Sequence, residues 1–133
     1  MKSITAAWMA SAQDDLVLIR VIANNETLTH LVAFHAQQAI EKSFKAVLEE
    51  CEHQVPKMHA LETLLPKVLR HLEFSFPLDL LEDLDKLYID ARYPGDLGLL
   101  PSGKPTLDDA RSFLELAEQI HQTCRLFFSS GQL

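Results

Sequence analysis

The segment from Leu28 to Glu50, LTHLVAFHAQQAIEKSFKAVLEE, constrains the fold more than any other part of the chain. It contains no glycine or proline and is rich in good helix formers, which predicts one long helix. Its apolar side chains occupy most of the helix circumference instead of a single stripe. A helix of this kind is buried among neighbours, so the segment is predicted to be the centre of a helical bundle.

A polar strip interrupts the apolar surface of this central helix. Its members lie three or four residues apart and therefore stack along one edge: His35, Gln38, Lys42, Lys45 and Glu49. Glu41 lies beside the strip. Two interpretations remain open. The lysines could meet a phosphate and Gln38 a base or ribose. Alternatively, Glu41 and Lys42 could pair with Asp15 or Arg92 on neighbouring segments and fix the packing.

The remaining apolar periodicity predicts four more helices and no strand. The predicted elements are a first helix from Ile4 to Ala23 with Ser3 as N-cap, the central helix with Thr27 as N-cap, a third from His59 to Leu72 that contains Pro66, a fourth from Leu78 to Ala91, and a fifth with Thr106 as N-cap that ends near Gly131. In the first helix, one predicted buried face carries Ile4, Trp8, Ala12, Leu16 and Ile19, with Asp15 close to it. Pro56 is expected to end the helical pattern of the central segment. The predicted fold is a single-domain, all-α, up-and-down bundle of about five helices over residues 1–133.

A long loop separates the fourth and fifth predicted helices, RYPGDLGLLPSGKPT from Arg92 to Thr106. Loops of this length in a compact domain are usually functional or mobile. Arg92 could bind a phosphate with two parallel hydrogen bonds while Tyr93 stacks on a base. The alternative is that Arg92 caps the last carbonyls of the fourth helix and Tyr93 packs on the bundle.

Composition excludes several classes of function. The net charge of −7 argues against broad adhesion to nucleic acid or to an anionic membrane, although a small basic pocket remains compatible with it. No signal peptide and no apolar run of membrane-spanning length is present, so we expect a cytoplasmic protein. Cys51 and Cys124 are expected to be reduced thiols. Cys51, His53 and His59 lack an obvious fourth ligand, so we predict no metal site and no cofactor.

Three stretches, AFHAQQAIEKSFKAVL, HALETLL and YIDARYPGD, resemble the HEPN domain (higher eukaryotes and prokaryotes nucleotide-binding). The resemblance covers nearly the whole chain, including Trp8 and the pair Asp14 and Asp15. It implies a four- or five-helix bundle, here a four-helix core plus a short extra helix, that often forms a homodimer. It also implies a small nucleotidyltransferase partner in a toxin–antitoxin-like pair. Several branches of the family are metal-independent ribonucleases.

The ribonuclease branches resemble one another in an arginine followed four to six residues later by a histidine. Neither Arg92 nor Arg111 is followed by a histidine at that spacing, which argues against an enzyme. The predicted function is therefore that of a nucleotide-binding accessory protein of a nucleotidyltransferase, with a metal-independent ribonuclease toxin and a purely structural dimerisation module as alternatives. The residues predicted to bind the nucleotide or the partner are His35, Gln38, Glu41, Lys42, Lys45, Arg92 and Tyr93.

Overall fold

A computed structural model describes residues 1–90 and 104–130, and within them the chain forms five α-helices, one short 3₁₀ turn and no strand. The helices are α1 (Ser3–Ile22), α2 (Thr29–Glu52), α3 (Leu61–Val68), α4 (Leu78–Asp90) and α5 (Leu107–Ser129), and the 3₁₀ turn (Glu26–Leu28) directly precedes α2. The prediction of an all-α bundle is confirmed.

Helix α2 is the centre of this bundle and packs against each of the other four α-helices. Its buried residues include small ones, such as Ala33, Ala36 and Ala39, that allow neighbouring helices to come close, and large ones, such as Ile40 and Phe44, that fill the core. Phe44 is fully buried and stacks on Phe74, with 6.1 Å between the ring centroids. Burial on most sides is what a helix with apolar side chains around most of its circumference requires.

The predicted start of α1 was wrong by one residue, and its cap is not local. Ser3 is the first helical residue, and Lys2 precedes it without a side-chain capping bond. The Glu50 carboxylate of α2 instead accepts hydrogen bonds from the backbone N–H of Lys2 (2.9 Å) and the hydroxyl of Thr5 (2.8 Å). These bonds lower the pKa of Glu50. A distant carboxylate thus binds the start of α1, where the Ser3 hydroxyl was expected to act as a cap.

The buried face of α1 is also rotated from the predicted one. Ala12, Leu16 and Ile19 are buried as predicted, but Ile4 is 49% exposed and Trp8 is only partly buried. Thr5 and Met9 take their places in the interior, because both α2 and α5 pack against α1.

Both predicted boundaries of α2 needed correction. Thr27 lies inside the 3₁₀ turn, whose cap is the Asn25 side chain, and α2 begins two residues later without a side-chain cap. At the other end, His53 adopts a left-handed conformation (φ 57°) and donates its N–H to the Glu49 carbonyl (3.1 Å). The helix therefore ends at Glu52 instead of the predicted Glu50, and it ends before Pro56 as expected.

The two C-terminal helices follow the sequence more closely. Helix α5 begins with a capping box, in which the Thr106 hydroxyl accepts from the Asp109 N–H (3.0 Å) and the Asp109 carboxylate accepts from the Thr106 N–H (2.9 Å). This confirms Thr106 as N-cap. The predicted residues Ala91 at the end of α4 and Gly131 at the end of α5 lie outside the described residues.

Candidate functional site

The polar strip divides between two neighbours of α2. His35 and Lys42 face α1, whereas Lys45 and Glu41 face the segment that leads into α3. Gln38 lies between them and donates to the Gln37 side chain (2.8 Å). Glu49, at the far end of the strip, accepts from the Lys2 ammonium (3.4 Å). The polar edge of α2 thus contacts α1 on one side and the segment before α3 on the other.

On the first side, one carboxylate holds two basic side chains. Asp15 Oδ2 lies 2.8 Å from Lys42 Nζ, and Asp15 Oδ1 lies 3.0 Å from His35 Nδ1. Burial raises the pKa of Asp15, but the hydrogen bonds and charges of His35 and Lys42 outweigh it and leave that pKa below its ordinary value. Asp15 is buried, while Lys42 and His35 remain partly accessible, with 22% and 27% of their side chains exposed.

On the second side, a buried carboxylate holds a buried ammonium and an exposed imidazole. Glu41 Oε2 lies 2.8 Å from Lys45 Nζ and 2.9 Å from His59 Nδ1. Lys45 and Glu41 are 4% and 6% exposed, and the Lys45 ammonium also lies 5.8 Å from the Trp8 ring. Such a cation remains in the interior because its charge is matched by the carboxylate.

Gln37 completes this second cluster. Its side chain is fully buried and donates to Glu41 Oε1 (3.2 Å) and to the His59 carbonyl (3.1 Å). The amide therefore fixes both the carboxylate and the backbone that carries the imidazole. Gln37 was not among the predicted site residues. Its position one residue from the strip, in an otherwise apolar segment, was the available signal.

A row of four aromatic side chains connects the two clusters. The rings of His35 and Phe34 meet edge to face at 5.2 Å, Phe34 stacks on Tyr88 at 5.6 Å, and Tyr88 lies 6.4 Å from His59. All four side chains are at least partly accessible to solvent. We call this the aromatic row. Tyr88 was not among the predicted site residues, because its spacing along α4 gives no sign of its neighbours.

Asp85 of α4 binds the beginning of α3. Its two carboxylate oxygens accept from the backbone N–H groups of Leu61 (2.7 Å) and Glu62 (3.0 Å). Burial raises the pKa of Asp85, against the lowering effect of the two N–H groups, and the nearby Glu41 raises it further. The side chain thereby anchors α3 at the point where His59 enters the second cluster.

Five of the seven predicted site residues are thus described, and α2 brings them together. Arg92 and Tyr93 lie outside the described residues. Of the two interpretations of the strip, ion pairing with Asp15 is present for Lys42, whereas Glu41 pairs with Lys45 and His59. The described residues hold no group of His, Cys, Asp and Glu side chains suited to a metal ion. None of the described helices is both long and apolar enough to cross a membrane.

Two surface clefts lie away from these clusters. One, of about 590 Å³, is bounded by Leu69–Glu73 and by the end of α5 near Phe127. Another, of about 430 Å³, lies between α1 and α5 over Met9 and His121. Burial lowers the pKa of His121, whose Nε2 lies 3.3 Å from the Met9 carbonyl.

Within the described residues, the fold is all-helical, and its central helix carries two clusters of paired charges. The aromatic row lies between these clusters. The family model described as HEPN domain matches residues 5–127, and the chain belongs to this family. The resemblance stated from the sequence motifs is confirmed.

Two solved structures are similar over almost their whole length. TT1696 from Thermus thermophilus is 26% identical with a TM-score of 0.65, and the match covers 95% of this chain and 99% of that one. ST0689, an archaeal HEPN homologue, is 26% identical with a TM-score of 0.64, and the match covers 94% of this chain and 97% of the other. None of the curated proteins matches this chain.

Proposed function

We propose that this chain is a cytoplasmic HEPN accessory protein that binds a nucleotide and works as a homodimer with a small nucleotidyltransferase, in a toxin–antitoxin-like pair. Membership of the HEPN family supports the general class of protein. The proposal that the ligand is a nucleotide rests on the aromatic row together with the charges at its two ends.

The aromatic row supports the proposal because bases stack on accessible rings. The Phe34 and Tyr88 rings are nearly parallel, with 27° between their planes, and both are partly exposed. Stacking of one base on such a ring contributes about 1–3 kcal/mol and tolerates every base. The row therefore offers a platform for the base, and a specific base would have to be selected by hydrogen bonds at its edge.

The basic groups around the row differ in what they can offer a phosphate. Lys42 is the accessible ammonium, and its only acid among the described residues is Asp15, which it shares with His35. A phosphate that approaches Lys42 would meet a cation that is already oriented. Lys45 and Glu41, in contrast, are buried and act by holding His59. Arg92, two residues after the end of α4, is the second proposed phosphate ligand.

The test is thermal unfolding of the whole chain with ATP, GTP, NAD and a short RNA. A nucleotide at about 100 times its Kd adds about 2.7 kcal/mol to the free energy of unfolding, a rise in Tm of the order of 10 °C. We expect one ligand to give this rise, and we expect Lys42→Gln, Arg92→Ala and Tyr88→Leu to reduce it.

Lys67→Gln is the matched control, because Lys67 lies on α3 and forms no ion pair among the described residues. It should keep the full rise. Equal losses in Lys67→Gln and Lys42→Gln, or no rise in the wild-type chain with any ligand, would contradict the nucleotide site proposed here.

A ribonuclease is the second candidate, because each accessible imidazole of the site is paired with a carboxylate. His35 pairs with Asp15 and His59 with Glu41, an arrangement that orients an imidazole for proton transfer. Cleavage of RNA in excess chelator, lost in both His35→Ala and His59→Ala, would favour this candidate. The third candidate, a dimerisation module without a ligand, predicts a dimer whose Tm is insensitive to every nucleotide and RNA.

A further inference from the structure

A groove between α1 and α5 is formed by two adjoining clefts. One has a volume of about 430 Å³ and the other of about 400 Å³. Gln13, His121 and Arg125 line both clefts, so the clefts meet at these residues. Each volume lies in the range of about 300–1,000 Å³ that is typical of small-molecule sites. No residue of the two charge clusters or of the aromatic row lines this groove, which is therefore separate from the proposed nucleotide site.

The larger cleft of the groove has an apolar wall. Ala6, Met9 and Ala10 of α1 line it together with Phe128 of α5. Met9 is buried, and Ala6 and Phe128 are half-buried. The two alanines leave space beside the helix, while the thioether and the ring offer an adaptable apolar surface. An apolar chain that lies here gains free energy because it leaves water.

His121 lies where the two clefts meet, and it is a neutral ring with a known proton position. Its side chain is 8% exposed, and Nε2 lies 3.3 Å from the Met9 carbonyl, which can only accept. Nε2 therefore carries the proton. Burial lowers the pKa of His121, and the guanidiniums of Arg125 and Arg20 lower it further, against the raising effect of the Met9 carbonyl.

The other ring nitrogen of His121 is an acceptor without a donor. Nδ1 forms no hydrogen bond within the described part of the chain. The fully buried side-chain atoms that lack a partner there are Thr29 Oγ1 and His30 Nδ1, so His121 Nδ1 is open to the groove. A hydroxyl group on a ligand is a suitable donor for it.

Arg125 places a positive charge one helical turn from His121. It is exposed and forms no ion pair among the described residues, and its guanidinium donates to the Gln122 side chain. Residues four apart on a helix have Cβ atoms about 5–6 Å apart. A ligand group that binds Arg125 therefore lies within a few bonds of one that binds His121.

The charge of the groove indicates an acidic ligand. The charged side chains that line it are Arg20, Glu118 and Arg125, and the first two pair with each other (3.0 Å). One positive charge thus remains in the groove of a chain whose net charge is −7. A single guanidinium matches the two oxygens of a carboxylate with two parallel hydrogen bonds.

We propose that the groove between α1 and α5 binds an apolar hydroxy acid. Its carboxylate binds Arg125, its hydroxyl donates to His121 Nδ1, and its chain lies along Met9 and Phe128. A 3-hydroxy fatty acid of medium length has these groups in this order, with the hydroxyl two carbon atoms from the carboxylate. The proposal goes beyond the proposed function and does not depend on a nucleotide.

The first test leaves the chain unchanged and varies the ligand. Isothermal titration calorimetry would compare 3-hydroxydecanoate with decanoate, which lacks the hydroxyl, and with decane-1,3-diol, which lacks the carboxylate. We expect one molecule of 3-hydroxydecanoate to bind per chain. Decanoate should bind about tenfold more weakly because Nδ1 loses its donor, and the diol should lose at least as much because Arg125 loses its acid.

The second test varies the groove, with a matched control for each change. Arg125→Gln should weaken binding of 3-hydroxydecanoate about tenfold and remove its advantage over the diol. Arg70→Gln, at an exposed arginine of a different cleft, should bind like wild type. Ala10→Phe fills the space beside α1 and should abolish binding. Ala7→Phe, at an exposed alanine of the same helix that does not line the groove, should leave binding unchanged.

His121→Phe examines the hydrogen bond itself, and this variant should bind 3-hydroxydecanoate and decanoate equally well. Because His121 is buried, its Tm would be measured alongside, and the comparison of the two ligands on the wild-type chain tests the same bond without a substitution.

Three results would overturn the proposal. They are a wild-type chain that does not bind 3-hydroxydecanoate, equal losses in Ala10→Phe and Ala7→Phe, and binding of decylammonium as tight as that of the hydroxy acid, which would show general adsorption of amphiphiles. A chain that binds a nucleotide but not the hydroxy acid would overturn this inference and leave the proposed function intact.

Discussion

Asp15 is a buried acid that holds two basic side chains, those of His35 and Lys42, in position. Because His35 and Lys42 both bind its carboxylate, removing the charge would leave the half-buried Lys42 ammonium without its carboxylate partner and would weaken the hydrogen bond to the His35 imidazole. Buried or half-buried charges that lose their partner cost more free energy than the pair itself provided. Asp15 is therefore a stability residue first, and it positions the two groups that the proposed nucleotide site needs.

We predict that Asp15→Asn lowers the free energy of unfolding by about 2 kcal/mol at neutral pH. The pKa of Asp15 is lower in the folded chain than its ordinary 3.8, so the unfolded chain binds more protons between the two values. The contribution is therefore complete above about pH 4 and is lost as the pH falls through the lowered pKa.

Urea unfolding of wild type and Asp15→Asn from pH 6 to pH 2 measures this effect. The difference between the two chains should shrink toward the acid end of the range. Asp108→Asn is the control, because the side chain of Asp108 is 94% exposed, and its difference from wild type should be small throughout. A difference for Asp15→Asn that is independent of pH would contradict the assignment.

Helix α3 depends on a residue from another helix for its beginning. Its N-cap residue, Ala60, has no side chain that can accept a hydrogen bond, and Asp85 of α4 accepts from its first two N–H groups instead. The helix is also short and contains Pro66, which cannot donate a backbone hydrogen bond. A short helix of this kind is held by its neighbours rather than by its own propensity.

We predict that Asp85→Ala costs about 2 kcal/mol and speeds hydrogen exchange mainly in α3. The two N–H groups lose a buried acceptor, so α3 should open more often than the rest of the bundle. Hydrogen exchange followed by mass spectrometry would locate the effect. Asp83→Ala, on the same helix and without a hydrogen bond among the described residues, should leave α3 protected, and equal effects of both changes would refute the anchor.

The elements that the sequence predicted well are those with local signals. Thr106 and Asp109 lie three residues apart and form the capping box without help from elsewhere. The apolar circumference of the segment from Leu28 to Glu50 likewise predicted the buried helix. Ser3 and Thr27 have hydroxyl groups like Thr106, yet Glu50 binds the start of α1 and Asn25 caps the 3₁₀ turn. The local sequence could not predict this, because it shows neither the tertiary contact of Glu50 nor the 3₁₀ turn.

Only the part of the candidate site that lies on the polar strip of α2 could be predicted from the sequence. Helical spacing placed His35, Gln38, Lys42 and Lys45 on one edge of α2. Spacing alone cannot say which neighbour each side chain faces, so neither the division into two clusters nor the aromatic row followed from it. Asp15 had been considered as a possible partner of Lys42, and this pair is present; His59 binds Glu41 of the strip as well.

At the scale of the whole molecule, stability is concentrated in α2. Every other α-helix packs on it, and its interior residues from Ala36 to Leu48 are almost all buried. A local opening that exposes the α2 backbone would have to separate α2 from several of its neighbouring helices at once. The amides of α2 should therefore exchange only when the whole chain unfolds.

We predict that the exchange free energy of the α2 amides equals the free energy of unfolding measured with urea. Amides near Val21, at the exposed end of α1, should exchange with a lower free energy because that end frays. Native-state exchange followed by NMR gives both values in one sample. Faster exchange in α2 than in α5 would contradict the central position of α2 in the unfolding transition.

The burial of most of α2 also bears on how this molecule can evolve. A substitution in its middle disturbs several helix contacts simultaneously, so few are neutral. New binding preferences can arise more easily on surfaces that only one neighbour supports, such as the outward sides of α4 and α5. We therefore expect relatives of this chain to differ in their binding partners, while the sequence of their central helix changes slowly.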